Sequence, residues 1–229
     1  YDTFGGGAIY AYGIDNCTFE NVNFTDGFVN VTRCEIDYVN NKPYRGGAAI
    51  MVSAATNSRF RNSNFVGNNV TVGLGGAIYF RYSSSKNNTF YNVNFTNNTA
   101  SRGGAIAYDS TSSRDTFDYV TFEGNDAGIG GAIFYNREVT HTEFKNVTFI
   151  KNTGGDGGAI GQSWWANSRY GTSYHNENVT FVDTHFIANR GTDDDAMGGA
   201  ITTSLGTTNF VFDRTEFVNN TAHGGGAIN

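Results

Sequence analysis

Three observations predict an all-β fold wound as a right-handed single-stranded parallel β-helix, a solenoid of about seven to eight coils with three strands and about 27 residues in each. The first is a Gly-Gly-Ala-Ile motif that begins at Gly6, Gly75, Gly103, Gly130, Gly157, Gly198 and Gly225, with a variant at Gly46 that carries an extra Ala. Successive copies lie 40, 29, 28, 27, 27, 41 and 27 residues apart, so the unit is short and two copies hold long insertions. The second is a Phe-x-x-x-x-Phe pair within each unit, at Phe19/Phe24, Phe60/Phe65, Phe90/Phe95, Phe117/Phe122, Phe144/Phe149, Phe181/Phe186 and Phe212/Phe217. The third is composition: 30 Gly, 29 Asn and 26 Thr against 2 Leu and 1 Pro leave too few helix formers for a helical bundle.

The elements follow in order from residue parity. In Phe90-Tyr91-Asn92-Val93-Asn94-Phe95, Val93 and Phe95 share one parity and Phe90 has the other, so the chain must bend between them if all three face inward. Asn92 supplies the bend, since Asn tolerates the left-handed conformation of a tight corner; Asn21, Asn62 and Asn146 stand in the same column. Three residues beyond the second Phe another Asn recurs, at Asn68, Asn98, Asn125, Asn152, Asn189 and Asn220, which reads as a second corner. The glycines then permit positive φ or close backbone approach before a third strand such as Ala77-Ile78-Tyr79-Phe80. Stacked coils would place Phe over Phe inside and Asn over Asn at the corners, where amides bond along the axis. Two Leu exclude a leucine-rich repeat, and the unit is too short for a propeller blade of about 40–45 residues. Right-handedness rests on the general preference of parallel crossovers.

A single domain is expected over residues 1–229, with insertions near 26–45, 161–178 and 190–197. The chain opens and closes at the same phase of the repeat, which leads us to expect either covalent continuation of the rod or end-to-end self-association. A net charge of -6 with no long basic run argues against a nucleic-acid partner. No apolar stretch approaches the roughly 20 residues of a membrane span.

The pairing of Phe95-Thr96-Asn97-Asn98 with Gly103-Gly104-Ala105-Ile106 resembles the repeats of polymorphic outer-membrane proteins, which are bacterial surface adhesins, and of adhesin-like β-helix proteins. The resemblance covers nearly the whole chain. It implies the fold, an extracellular or cell-surface location and a non-catalytic role as shaft, filament or binding module toward a carbohydrate or a host or neighbouring cell. The first coil departs from the pattern, with Gly27 where the second Asn belongs.

Chemistry-bearing residues are few. Both Trp, Trp164 and Trp165, share the insertion from Gly161 to Asn178 with Arg169, Tyr170, Tyr174 and His175, a composition suited to stacking on sugar faces or to covering the side of a coil. Asp193, Asp194 and Asp195 occupy the corner before Gly198, and Asp156 the same corner one coil earlier; they form either a solvated acidic turn or a Ca²⁺ site, and no other cofactor is expected. Cys17 and Cys34 bracket a 16-residue segment and make a disulfide if the protein is extracellular, or two free thiols. Ten Asn-x-Thr sequons, at Asn16, Asn23, Asn30, Asn69, Asn87, Asn94, Asn97, Asn146, Asn178 and Asn219, are N-glycosylation candidates or by-products of the repeat.

The alternative function is a polysaccharide-acting β-helix enzyme. Its groove would run along the residues after Gly-Gly-Ala-Ile: Tyr10, Tyr12, Met51, Tyr79, Arg81, Tyr108, Asp109, Tyr135, Gln162 and Thr203. Asp109 is the lone carboxylate there, so the paired acids of glycoside hydrolysis are missing.

Overall fold

The computed structural model describes residues 7–29, 46–162, 176–203 and 207–229. The chain is a parallel β-helix. Strands Ile9–Ala11, Ile50–Val52, Ile78–Phe80, Ile106–Tyr108, Ile133–Tyr135 and Ile160–Gln162 form one six-stranded sheet. Isolated bridges from Ile160 to Ile201 and from Ile201 to Ile228 continue it. A second, larger sheet carries the Phe pairs: Thr89–Thr96 runs parallel to Arg59–Val66 on one side and to Thr116–Glu123 on the other, with Phe90 beside Phe60 and Phe117 and Phe95 beside Phe65 and Phe122. Two-residue segments such as Ser85–Lys86 and Asn69–Val70 join the main strands and pair with their own equivalents in adjacent coils.

The register corrects one alignment. Ile50 pairs with both Ile9 and Ile78, so Gly47-Ala48-Ala49-Ile50 is the true repeat in the second coil. Ala48 therefore stands in the column of the second glycine, rather than being an extra residue after it. That column is tight elsewhere: a Cβ on Gly131 would lie 2.2 Å from the Gly158 carbonyl oxygen and 2.4 Å from that of Thr153.

Corners are made by left-handed residues in three columns five positions apart. For the third coil these are Asn87, Asn92 and Asn97, at φ 58°, 52° and 54°. The expected bend between the two Phe is present in every described coil, and Tyr119, Asp183 and Arg214 fill it where Asn is absent. The second corner lies one residue earlier than the sequence suggests, at Asn97 rather than Asn98. Asn98 itself points inward and is fully buried.

That inward position explains why Asn recurs there. The Asn98 Nδ2–H donates to Asn125 Oδ1 at 2.9 Å and to the Phe65 carbonyl at 2.9 Å, and the Asn98 backbone N–H donates to the same Asn125 Oδ1 at 3.0 Å. Identical bonds run from Asn68 through Asn125, Asn152 and Asn189 to Asn220. A buried amide has two donors and a two-bond acceptor to satisfy, and one coil step supplies all of them. At the first coil the chain has Gly27, whose N–H still donates to Asn68 Oδ1 at 3.1 Å, so the ladder ends there with its acceptor filled.

Both Phe columns face inward. From Phe60 to Phe186 their rings are at most 1% exposed. Successive rings stack at centroid separations of 4.7–5.1 Å with planes within 14°. The separation is the strand spacing, so each ring is offset over the next, an arrangement the aromatic quadrupole favours over a face-on sandwich.

Candidate functional site

The outer side of the Ile strands is the place where a groove would lie, and parity divides its residues. Tyr108 and Tyr135 do not face it. They share the parity of the Ile residues and stack inside on Phe80, at centroid separations of 4.7 Å (Phe80–Tyr108) and 5.1 Å (Tyr108–Tyr135). Gln162 and Thr203 likewise line a small interior cavity with Asn176 and Val179. Met51 and Tyr79 do face outward, but together with Ala107 and Phe134 they are fully buried in a second apolar cluster with Leu74. What remains near solvent is Tyr10, Tyr12 and the Asp109 carboxylate.

Asp109 is held by two donors: Asn136 Nδ2–H at 2.8 Å to Oδ1 and the Tyr79 hydroxyl at 3.3 Å to Oδ2. Burial raises its pKa from the ordinary value, against the pull of those two bonds and of the nearby Arg137 and Arg81. Arg81 is 1% exposed and its guanidinium lies 3.7 Å over the centroid of the Tyr82 ring, a cation–π contact. Tyr82, at φ 58°, is the one left-handed non-glycine residue outside the three corner columns among the described residues. Chemically this is a single oriented acid near a cation, and among the described residues no second carboxylate is paired with it for proton transfer.

The acidic corner is spread out. Asp156 Oδ1 accepts a hydrogen bond from the Met197 backbone N–H at 2.8 Å, so it caps the turn of the next coil. Asp193, Asp194 and Asp195 form an exposed turn closed by the Ala196 N–H to the Asp193 carbonyl at 2.9 Å. Among the described residues no group of three or more His, Cys, Asp or Glu side chains is arranged to hold a metal. Trp164, Trp165, Arg169, Tyr170 and Tyr174 lie outside the described residues, as do Cys34 and Asn30. The Cys17 thiol is directed at the Asp15 carbonyl, 3.6 Å away.

The sequons acquire a geometric explanation. Asn16, Asn87, Asn97, Asn146, Asn178 and Asn219 are left-handed corner residues, with φ between 52° and 58°. At these corners a left-handed Asn, one inward residue and then Thr follow one another, which spells Asn-x-Thr. Asn23 and Asn94 lie in strands and belong to a surface amide row, with the Asn64 Nδ2–H donating to Asn23 at 2.7 Å and the Asn94 Nδ2–H to Asn64 at 2.9 Å. Asn69 starts a two-residue strand.

One titratable site escaped the sequence reading. Asp115 is fully buried, in the inward column occupied elsewhere by Ser58, Asn88 and Thr142. Its Oδ1 accepts from the Asn88 backbone N–H at 2.8 Å and Nδ2–H at 3.1 Å, and its Oδ2 from the Ser112 hydroxyl at 2.9 Å. Burial outweighs these bonds and pushes its pKa up to about 6. The position two residues before the first Phe has inward parity, and that was the available signal.

These features define a class: a parallel β-helix repeat protein whose recurring residues are spent on corners, ladders and ring stacks. One of its repeats is similar to the polymorphic membrane protein type. Residues 92–108, which hold two corner Asn, one Phe-x-x-Asn and one Gly-Gly-Ala-Ile, match the Chlamydia polymorphic membrane protein repeat. No curated protein matches the chain, and no solved structure does.

Proposed function

We propose that this chain is a non-catalytic surface module, the adhesin-like shaft or binding region of an extracellular protein. The observation that carries the reading is the match of its repeat to that of a membrane-protein family, joined to a rod in which the repeated residues serve the scaffold. Fold alone does not assign function, so the outward and insertion residues must supply contact with a partner. Carbohydrate is the ligand class that suits exposed aromatic side chains flanked by amides, and by composition the insertion sequence holding Trp164 and Trp165 suits the same class. The test is display of the chain on cells, with surface labelling and adhesion to glycan-bearing cells as readouts. Adhesion lost on replacing Trp164 and Trp165 by Ala, with the circular-dichroism spectrum kept, supports the reading; absence of surface labelling and adhesion refutes it.

A second reading, a polysaccharide-acting enzyme, is favoured by one observation, the half-buried Asp109 acid with its raised pKa near Arg81. Turnover of polyuronate or another polysaccharide that Asp109→Asn abolishes would establish it in place of the first.

A further inference from the structure

The outer edge of the first corner holds an aromatic pair that the rod does not need. In the column one residue past the first Phe, Tyr91 follows Arg61, and in the corner column Tyr119 replaces the Asn of Asn62, Asn92 and Asn146. Tyr91 is 39% and Tyr119 57% exposed, and both lie in the middle of the rod. Their rings meet edge to face at 6.0 Å, and the Arg61 guanidinium sits 5.8 Å from the Tyr91 centroid. Tyr119 has φ 54°. A left-handed bulky residue carries strain on the order of 1–2 kcal/mol that Asn, the usual occupant, largely avoids. The other non-Asn residues of that column, Asp183 and Arg214, form an ion pair with each other, so a strained, exposed ring there points to a role outside folding.

The surroundings identify the ligand chemistry. The Asn92 Nδ2–H donates to Asn62 Oδ1 at 3.0 Å, and the Asn146 Nδ2–H to Asp118 Oδ1 at 3.0 Å. Asn62 and Asn92 are exposed and Asp118 and Asn146 half-buried, in the same two columns as the rings. Amides, a carboxylate and a guanidinium beside aromatic faces match the alternation of hydroxyls and C–H faces on a pyranose. A protein hot spot would instead need apolar neighbours that exclude water, and the columns around Tyr91 and Tyr119 are polar.

We propose that Tyr91 and Tyr119, with Arg61, Asn92 and Asp118, form a carbohydrate-binding patch that takes a pyranose chain lying along the rod axis. The proposal rests on the surface-module reading and names a second contact region, separate in sequence from the Trp insertion. Successive coils advance by about 4.8 Å, so ligand groups on consecutive sugars can address consecutive coils.

The test is calorimetric titration of the whole chain with cellohexaose, chitohexaose and mannohexaose, using Tyr91→Ala and Tyr119→Asn beside the parent. At least one hexasaccharide is expected to bind, and each variant to weaken it about five- to tenfold, the scale of one ring contact. Tyr119→Asn restores the usual corner residue, so its urea midpoint should equal or exceed the parent's. Failure of all three sugars to bind, binding indifferent to both substitutions, or a Tyr119→Asn chain of clearly lower stability would each overturn the patch. Surface labelling and cell adhesion are measured separately on the same variants. If both persist while the patch fails, the surface-module reading stands without it.

Discussion

Replacing Asp115 by Asn should make the protein more stable at neutral pH and leave it unchanged in acid. The folded carboxyl has a pKa of about 6 because it is buried, against an ordinary value of 3.8 in the unfolded chain. Folding therefore favours the protonated form. Below the unfolded value both states are neutral and Asp115 carries no ionisation cost; as pH rises from about 4 through 6 that stability is lost, and above 6 the loss is complete. Two pKa units correspond to about 3 kcal/mol. Asn at this site keeps the acceptor for both Asn88 donors. Its Nδ2–H gains a natural partner by the pattern of the preceding coil, where the Asn88 Nδ2–H donates to the Ala55 carbonyl at 2.9 Å. The residue in that place for position 115 is Ser85. Urea unfolding at pH 4 and pH 7.5 measures the difference: the gain from Asp115→Asn should be about 1–3 kcal/mol at pH 7.5 and shrink toward zero at pH 4. A variant that is less stable at pH 7.5, or a gap that does not change with pH, would show that the carboxylate is stabilised by its three donors more than it is penalised by burial.

Other perturbations separate the interior from the surface. Phe122→Ala opens a cavity within a continuous ring stack and should cost about 3–5 kcal/mol in urea unfolding, whereas Tyr91→Ala on the outer edge should cost less than about 1 kcal/mol; similar losses would mean that the inward parity is wrong. Asn125→Ala removes the acceptor for both the backbone and side-chain N–H of Asn98, and should destabilise by about 2–4 kcal/mol in the same assay. Gly131→Ala puts a methyl against the Gly158 carbonyl and should lower the midpoint by the equivalent of about 1–3 kcal/mol. An unchanged midpoint would show that the regular coils can shift as the second coil does around Ala48.

How far the sequence could be read depends on how each property is encoded. Phe columns, corner Asn and glycines recur because every coil presents the same steric and hydrogen-bonding problem, so repetition itself exposes their roles. The register of the second coil was hidden because Ala48 breaks that repetition, and only strand pairing of Ile50 with Ile9 and Ile78 restores the alignment. The inward turn of Asn98 was hidden for a different reason. Parity counts alternate positions, but a left-handed residue resets the count, and the corner at Asn97 was one place earlier than the Asn motif implied. Plain alternation along Ile106–Tyr108 sends Tyr108 into the core with Ile106 while Asp109, its neighbour, faces out, so a list of residues following Gly-Gly-Ala-Ile mixes two environments. Sites are harder still, since a site is where the repeat is interrupted. Tyr119, the one aromatic side chain in a corner column held otherwise by Asn, Asp183 and Arg214, and Asp115, in a column otherwise filled by neutral side chains, are departures visible only once the columns are known. The physical criterion is therefore local: a departure that raises the cost of folding, as a strained exposed ring or a buried acid does, is a better pointer to function in a solenoid than any residue the coils share.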